Sequence, residues 1–211
     1  MNKILNGLAL LVCTFVAPIV MAAGDAAAGQ TKTAVCVACH GPDGNSPASA
    51  FPIIAGLGEK YTLKQLIEIQ SGERVVPEMT GMLTGMSEQD LADIAAYYNS
   101  QPRKLVGAAE TDLELGERIY RGGNIETGVA ACTACHSPTG QGNDPAGYPA
   151  LGGQYPEYLI KQLTAFRTGY DDPENSSARV NDGEGRVMRG VAARMTDREI
   201  RAVANYISGL R

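Results

Sequence analysis

Two short stretches of sequence decide the fold of this chain: Cys36-Val37-Ala38-Cys39-His40 and Cys132-Thr133-Ala134-Cys135-His136. Their two histidines are the only histidines among 211 residues. A Cys-x-x-Cys-His motif is typical of covalent haem c attachment, because each thiol can form a thioether with one vinyl group of a porphyrin while the adjacent imidazole reaches the iron. We therefore predict two covalently bound haem c groups. The predicted attachment residues are Cys36, Cys39, Cys132 and Cys135, and the predicted first axial ligands are His40 and His136.

Other chemistries also use closely spaced cysteines. Two Cys-x-x-Cys pairs can hold one structural zinc ion, a single pair can form a thioredoxin-like redox site, and pairs in exported proteins often form disulfides. None of these alternatives explains why a histidine follows both pairs while the rest of the chain has none. The sequence therefore favours haem attachment over all three.

The chain is an internal duplication. The segment Met79–Tyr98 aligns without gaps with Met188–Ile207, and Tyr61–Leu66 aligns with Tyr158–Leu163. The second copy carries an insertion of 12 residues within 169–188, and its Asp, Asn, Ser and Gly residues predict a loop. The expected domains are 23–100 and 112–211, with a linker at 101–111.

Each copy is predicted to contain three main helices and no strand. Apolar residues recur at helical spacing in both copies, and no run of alternating strand residues is found. The last helix of each copy begins at a capping-box pattern, Ser87 with Asp90 and Thr196 with Glu199. We therefore predict an all-α fold. The expected helices span about 25–35, 61–71 and 88 onward in the first copy, and about 113–121, 156–168 and 197 onward in the second.

Residues 1–22 have the layout of a secretory signal peptide. Lys3 precedes an apolar run over residues 4–20, and small residues surround a predicted cleavage site after Ala22. A membrane anchor is the competing interpretation, but the run is shorter than the roughly 20 apolar residues of a spanning helix. A lipoprotein would need a small residue before Cys13, where a valine stands. We expect export to the periplasm.

These features together resemble a known family. A short helix, a Cys-x-x-Cys-His motif, a downstream proline, a methionine and a terminal helix form the pattern of a class I cytochrome c domain. Two such domains behind a signal peptide, with His40–Asn45, Glu78–Met82 and Met188–Ala192, are similar to the dihaem cytochrome c4 family. The resemblance covers essentially the whole mature chain. It implies two tandem cytochrome c-like haem domains packed together, with the terminal helix crossing the first helix in each.

The resemblance assigns roles to matched glycines and prolines. Gly29 and Gly116 fall where the two helices of each domain cross, although a glycine can also be merely a weak helix position. Pro52 and Pro149 occupy the place of the family's proline, whose carbonyl accepts a hydrogen bond from the ligating imidazole and fixes the ring. The alternative is that these prolines only turn the chain.

Two matched methionine pairs compete for the second axial position. Met86 and Met195 each precede a helix cap by one residue, where an apolar side chain packs as a hydrophobic staple. Met82 aligns with a valine, which cannot ligate iron. Met79 and Met188 have no expected role in a helix, and they match the ligand position of the family motif. We predict that Met79 and Met188 are the axial ligands.

Ligation by histidine and methionine suits one-electron transfer, because thioether sulphur favours the ferrous state. No catalytic constellation is evident, so we expect an electron carrier and not an enzyme. A dihaem peroxidase and a fixed subunit of a larger complex are the alternatives. The resemblance implies that electrons pass from a quinol-oxidising cytochrome complex to a terminal oxidase in a respiratory chain. Peripheral association with the membrane is a further option.

Charge and composition give weaker indications. The net charge is −5, and we expect no nucleic-acid partner. Five arginines near the second methionine segment could steer an acidic redox partner, pair with haem propionates or form a solvated helix face. They are Arg186, Arg189, Arg194, Arg198 and Arg201. The chain has no Trp and three Phe, so we expect haem to fill part of each core.

Overall fold

The computed structural model describes residues 23–211. Over this range the chain is helical, with two isolated β-bridges and no β-strand, which confirms the predicted all-α fold. The α-helices are α1 (Ala26–Lys32), α2 (Val37–His40), α3 (Glu59–Ser71), α4 (Glu88–Asn99), α5 (Leu113–Gly122), α6 (Thr133–His136), α7 (Pro156–Asp171), α8 (Val187–Ala192) and α9 (Asp197–Ser208). Two short 3-10 turns span Pro77–Met79 and Asp144–Ala146.

The predicted signal peptide, residues 1–22, lies outside the described residues, and so does Cys13. Among the helices of residues 23–211, none is long and apolar enough to cross a membrane.

The helix boundaries differ from the sequence prediction at several places. α1 ends at Lys32, earlier than expected, because the carbonyl of Thr33 accepts the backbone N–H groups of Cys36 and Val37 in a turn that leads into the first motif. α3 begins two residues before the predicted start, and α7 extends three residues beyond the predicted end. α8 is not predicted from the sequence, so Met188 lies in a short helix where none is expected.

Both terminal helices begin at the predicted capping boxes. The Ser87 hydroxyl accepts the Asp90 N–H at 3.2 Å, and the Asp90 carboxylate accepts the Ser87 N–H at 2.9 Å. Thr196 and Glu199 form the same two bonds, at 3.3 and 2.8 Å. Each box satisfies N–H groups that the first helical turn leaves without intrahelical partners. α4 and α9 therefore begin where the sequence predicts.

In each domain the terminal helix crosses the first helix at a glycine. α1 packs on α4, and α5 packs on α9. A Cβ atom at Gly29 would lie 2.0 Å from the carbonyl oxygen of Asp93, and one at Gly116 would lie 2.2 Å from that of Ala202. These distances are far inside van der Waals contact, so no side chain fits. The matched glycines permit close helix approach and are not merely weak helix positions.

A small apolar core lies against each terminal helix. In the first domain Leu91 and Tyr98 belong to it, and Met86 packs against it. In the second domain Ile200 belongs to the core together with Met195, which is 4% exposed. Met86 and Met195 therefore pack as apolar side chains, in agreement with the predicted hydrophobic staples.

The insertion of the second copy runs between α7 and α8 and contains no helix. It is a loop, as predicted, but part of it faces inward. Arg179 and Asn181 are buried, and both reach α3 of the first domain, where Arg179 donates to Gln65 at 3.0 Å and Asn181 donates to Glu68 at 2.7 Å. The insertion is therefore part of the contact between the domains.

Two arginines cross the domain interface in a reciprocal manner. Each donates, over 2.9 to 3.2 Å, to a tyrosine and a glutamine on the second main helix of the other domain. The partners are Tyr158 and Gln162 for Arg74, and Tyr61 and Gln65 for Arg179. These two tyrosine–glutamine pairs are aligned in the repeat. The interface therefore has approximate two-fold symmetry.

Candidate haem sites

Each Cys-x-x-Cys-His motif forms one turn of helix, α2 or α6. The His40 N–H donates to the carbonyl oxygen of Cys36 at 2.9 Å, and the His136 N–H makes the same bond to Cys132 at 2.9 Å. One helical turn brings residues that are three and four positions apart onto the same side. The two thiols and the imidazole of a motif therefore face the same region.

The cysteines do not have the properties of the alternative sites. No disulfide joins any two of the four cysteines of residues 23–211. Burial raises the pKa of the Cys36 thiol and raises the pKa of Cys132 to about 11, whereas a thioredoxin-like site needs a thiol with a lowered pKa. Within residues 23–211, no group of three or more His, Cys, Asp or Glu is arranged to hold a metal ion. The two pairs therefore do not form one zinc site.

Each motif histidine is bonded to a proline carbonyl. Nδ1 of His40 lies 3.0 Å from the carbonyl oxygen of Pro52, and Nδ1 of His136 lies 2.9 Å from that of Pro149. A carbonyl can only accept, so Nδ1 carries the proton and Nε2 carries the lone pair. Burial lowers the pKa of both imidazoles, and the bonds to the prolines only partly oppose this effect. The rings are therefore neutral at pH 7, which is the form that ligates a metal.

The loop after each motif holds the proline in place. In the first domain the N–H groups of Ile54 and Ala55 both donate to the carbonyl oxygen of Gly44, at 2.8 and 3.1 Å. In the second domain the N–H groups of residues 151 and 152 donate to Gly140, at 2.7 and 2.9 Å. The same pair of backbone bonds therefore follows the proline in both copies, and in both copies the proline carbonyl accepts the bond from the imidazole.

Met79 and Met188 are both partly buried and both lie in short helices before the terminal helix. Met79 ends the turn Pro77–Met79, and Met188 lies in the first turn of α8. Met79 also packs against the apolar core of the first domain, as Met86 does. Met82 is 49% exposed, and Met195 belongs to the apolar core of the second domain. Two thiols, one imidazole and one thioether are the donors that cytochromes c offer to haem. The residues of each half therefore fit a haem c.

Comparison with known proteins identifies the family. The family model Cytochrome c matches residues 26–101 and 114–211. The chain is 52% identical over 211 residues to cytochrome c4 of Pseudomonas aeruginosa, and 51% identical over 220 residues to cytochrome c4 of Azotobacter vinelandii, with 100% of each chain covered in both cases. The chain belongs to the cytochrome c4 family.

A solved structure of the cytochrome c4 family agrees with this assignment. Reduced recombinant cytochrome c4 from Pseudomonas stutzeri matches with a TM-score of 0.84 and 51% identity, over 90% of this chain and 100% of that chain. The family resemblance and the two tandem cytochrome c domains are thereby confirmed. As a cytochrome c4-family member, the protein carries two covalently bound haem c groups and transfers electrons.

The predicted arginine group of this cytochrome c4-family protein is not one continuous surface. Arg189 is buried and pairs with Asp182 at 2.5 Å. Arg198 pairs with Asp112 at 2.8 Å. Arg194 is exposed and donates to a backbone carbonyl one turn earlier, at 3.1 Å. The group therefore divides between one buried ion pair, Arg189 with Asp182, and side chains that face solvent.

Three arginines at the domain interface could not be predicted from the sequence: Arg74, Arg103 and Arg179. Arg74 and Arg179 bridge the domains, and Arg103 carries buried guanidinium nitrogens in the linker. Charged residues in loops are by default expected to be solvated, so their composition gives no sign of burial. The repeated Tyr-x-x-x-Gln of the second helices, at Tyr61 and Tyr158, is the one signal that could have indicated a shared interface.

Proposed function

We propose that this protein is a periplasmic single-electron carrier of a respiratory chain, with both irons ligated by histidine and methionine. The assigned axial pairs are His40 with Met79 and His136 with Met188. The proposal depends chiefly on the repeated bond from Nδ1 of each histidine to a proline carbonyl, at 3.0 and 2.9 Å. Because both copies contain this arrangement and a matched methionine, the same role is proposed for both.

The residues of each half are suited to hold a haem that exchanges one electron reversibly. Bound haem supplies the redox chemistry, since its iron alternates between the ferric and ferrous states. The proline carbonyl fixes the orientation and the tautomer of the imidazole. The methionine thioether favours the ferrous state and so raises the reduction potential. A histidine and a methionine bound to each iron would leave neither half with an open site for oxygen or peroxide.

Replacing the proposed methionine ligands tests the ligation. Met79→Leu or Met188→Leu should remove the sulphur-to-ferric-iron absorption of one haem and lower its potential, because leucine has similar volume but no donor atom. Met86→Leu and Met195→Leu are the matched controls, and each should cost less than about 1.5 kcal/mol of stability, as volume-conserving apolar exchanges do. Loss of the absorption in Met86→Leu, with its retention in Met79→Leu, would contradict the assignment.

Ligation of both irons by histidine and methionine would distinguish an electron carrier from a dihaem peroxidase. A peroxidase needs one iron with an open position, whereas this chain offers a methionine to each iron. The fully reduced protein should therefore not turn over hydrogen peroxide. Rapid, catalytic oxidation of the reduced protein by peroxide would favour the enzyme instead.

The proposed partners are a quinol-oxidising cytochrome complex as donor and a terminal oxidase as acceptor. The signal-peptide pattern of residues 1–22 and the cytochrome c4 relatives support a place in the periplasm. Cell fractionation followed by haem staining tests the location. Washing membranes with salt separates peripheral association from a free carrier, and copurification at low salt would reveal a fixed subunit of a larger complex.

A further inference from the structure

The domain interface contains more positive than negative charge. The hydrogen-bonded centre of the interface contains Lys64, Glu68, Arg74 and Arg179. Nearer its edge, Lys161 pairs with Glu78, and the Lys60 N–H donates to Asp144. Glu68 is the only acidic residue of the hydrogen-bonded centre, and it pairs with Lys64. Arg74 and Arg179 donate to tyrosine hydroxyls and glutamine carbonyls, which carry no charge. Two guanidinium groups therefore have no carboxylate partner within residues 23–211.

The effect of this charge is visible on a neighbouring tyrosine. Burial alone would raise the pKa of Tyr61. The nearby cations Arg179, Arg74 and Lys64 outweigh burial and lower the pKa instead. The interface is therefore an electropositive region that favours negatively charged groups.

Arg103 brings a further guanidinium to this interface from the linker. Its Nη1 donates to the carbonyl oxygen of Ala55 at 3.2 Å. Its Nε and Nη2 are buried and have no hydrogen-bond partner among the described residues. Burial lowers the pKa of Arg103 to about 10, an effect that Tyr158 of α7 opposes, so the group is charged at pH 7. A buried charge without a partner is strongly unfavourable, which indicates an anion at this position in the holoprotein.

The contact with Ala55 locates Arg103 relative to the haem sites. Ala55 follows Pro52 by three residues, and the Pro52 carbonyl is the acceptor for Nδ1 of His40. Tyr158, which is close enough to Arg103 to raise its pKa, lies in the first turn of α7 in the second domain. Arg103 therefore lies between the first haem site and the second domain.

We propose that Arg103 binds a propionate carboxylate of a haem at the domain interface through Nε–H and Nη2–H. These two donors lie side by side in the planar guanidinium, and their spacing matches the two oxygens of one carboxylate. Haem propionates supply the negative charge that the interface lacks. Arg103 acts as a positioning residue, because it fixes the carboxylate and neutralises a negative charge near the iron, which stabilises the ferrous state.

A redox titration of the holoprotein tests this proposal without reference to a redox partner. Arg103→Gln removes the charge, Arg103→Lys retains it, and Lys104→Gln removes a charge at the next residue, whose side chain is 72% exposed. Arg103→Gln should lower the midpoint potential of one haem, and Arg103→Lys should lower it less. The effect of Lys104→Gln should be small and should disappear as the salt concentration rises, whereas that of Arg103→Gln should persist, because buried charges are screened less.

Denaturation of the ferric holoprotein distinguishes an Arg103 guanidinium that binds a carboxylate from one that has no anionic partner. If Arg103 binds a propionate, Arg103→Gln leaves a buried carboxylate without its partner, and the denaturant midpoint should fall below that of Lys104→Gln. If the guanidinium is unpaired, the same substitution removes an isolated buried charge, and the midpoint should rise. A raised midpoint, or haem potentials equal to those of the wild type, would overturn the proposal.

Discussion

At the scale of single residues, both helix crossings depend on a missing Cβ atom. Gly116→Ala should destabilise the holoprotein by at least about 1–3 kcal/mol, because the added carbon would lie 2.2 Å from the backbone carbonyl oxygen of Ala202. Gly122→Ala, in the same helix, is the control, since nothing lies within 4 Å of that Cβ position. Alanine should be neutral or stabilising there, by up to about 1 kcal/mol. Guanidinium unfolding followed by circular dichroism measures both, and equal midpoints would show that the crossing tolerates a side chain.

Asp93 connects α4 to the beginning and end of α1. Its carboxylate accepts the Asp25 N–H at 2.9 Å and pairs with Lys32 at 2.5 Å. These contacts, together with a bond from Gln89, lower the pKa of Asp93 from the ordinary 3.8 to about 2. Because the pKa is lower in the folded than in the unfolded state, the contribution to stability is complete above about pH 4 and is lost between about pH 4 and pH 2.

Asp93→Asn tests this pH dependence. The variant should be less stable than the wild type at pH 7, and the difference should shrink as the pH falls from about 4 towards 2, where the wild-type carboxylate also becomes neutral. Glu88→Gln is an exposed control on the same helix and should have little effect at any of these pH values. Urea unfolding of the ferric holoprotein measures the difference at each pH. A difference that stays constant with pH would contradict the assignment.

At the scale of elements, the insertion between α7 and α8 connects the two domains. Arg179 stands at its centre, hydrogen-bonded to residues of both domains, with its guanidinium carbon 4.4 Å from the ring centroid of Phe166. Arg179→Ala should lower the stability by roughly 2–4 kcal/mol, because several buried hydrogen bonds are lost. Arg194→Ala removes the same charge at an exposed position and should change stability by less than about 0.5 kcal/mol.

The same substitution should also weaken the coupling between the domains. Thermal unfolding can be followed by circular dichroism in the haem absorption bands. The unfolding transitions of the two domains should be further apart in temperature in Arg179→Ala than in the wild type. An unfolding curve identical to that of Arg194→Ala would show that the insertion does not connect the domains.

Elements with strong local signals could be predicted from the sequence. The capping boxes at Ser87 and Thr196 depend on neighbouring residues only, and the structure has them where they are expected. α8 and the inward-facing part of the insertion could not be predicted. The partners of Arg179 in the first domain, Tyr61 and Gln65, lie more than 100 residues earlier in the chain. A polar loop has the same composition whether it faces solvent or another domain.

At the scale of the whole molecule, few large side chains are available to form a core. Among residues 23–211, the largest apolar side chains with less than 2% of their surface exposed are Leu91, Ile94 and Tyr98 in the first domain and Tyr120, Ile200 and Val203 in the second. A domain of this size is already marginal in the surface that it buries. Bound haem should therefore supply much of the apolar contact that stabilises each half.

Protein produced without haem attachment tests this dependence. The apoprotein should show no cooperative unfolding by circular dichroism, whereas holoprotein from the same gene, matured in cells that attach haem, should unfold cooperatively. The expected cause is the loss of the apolar surface that each porphyrin covers. A well-folded apoprotein with a sharp transition would refute the prediction.

Arg74 and Arg179 give the domain interface the character of an isologous contact, in which each partner presents the same groups to the other. Identical single-domain chains make such contacts when they pair around a two-fold axis. The duplicated chain thus retains the geometry of a homodimer within one polypeptide. Because the two halves are covalently linked, their sequences need not be identical. The second copy contributes Arg179 to the contact from a longer loop, and Arg103 comes from the linker, which has no counterpart in the repeat. Two haems that remain permanently paired can therefore diverge in reduction potential, which a true homodimer cannot achieve.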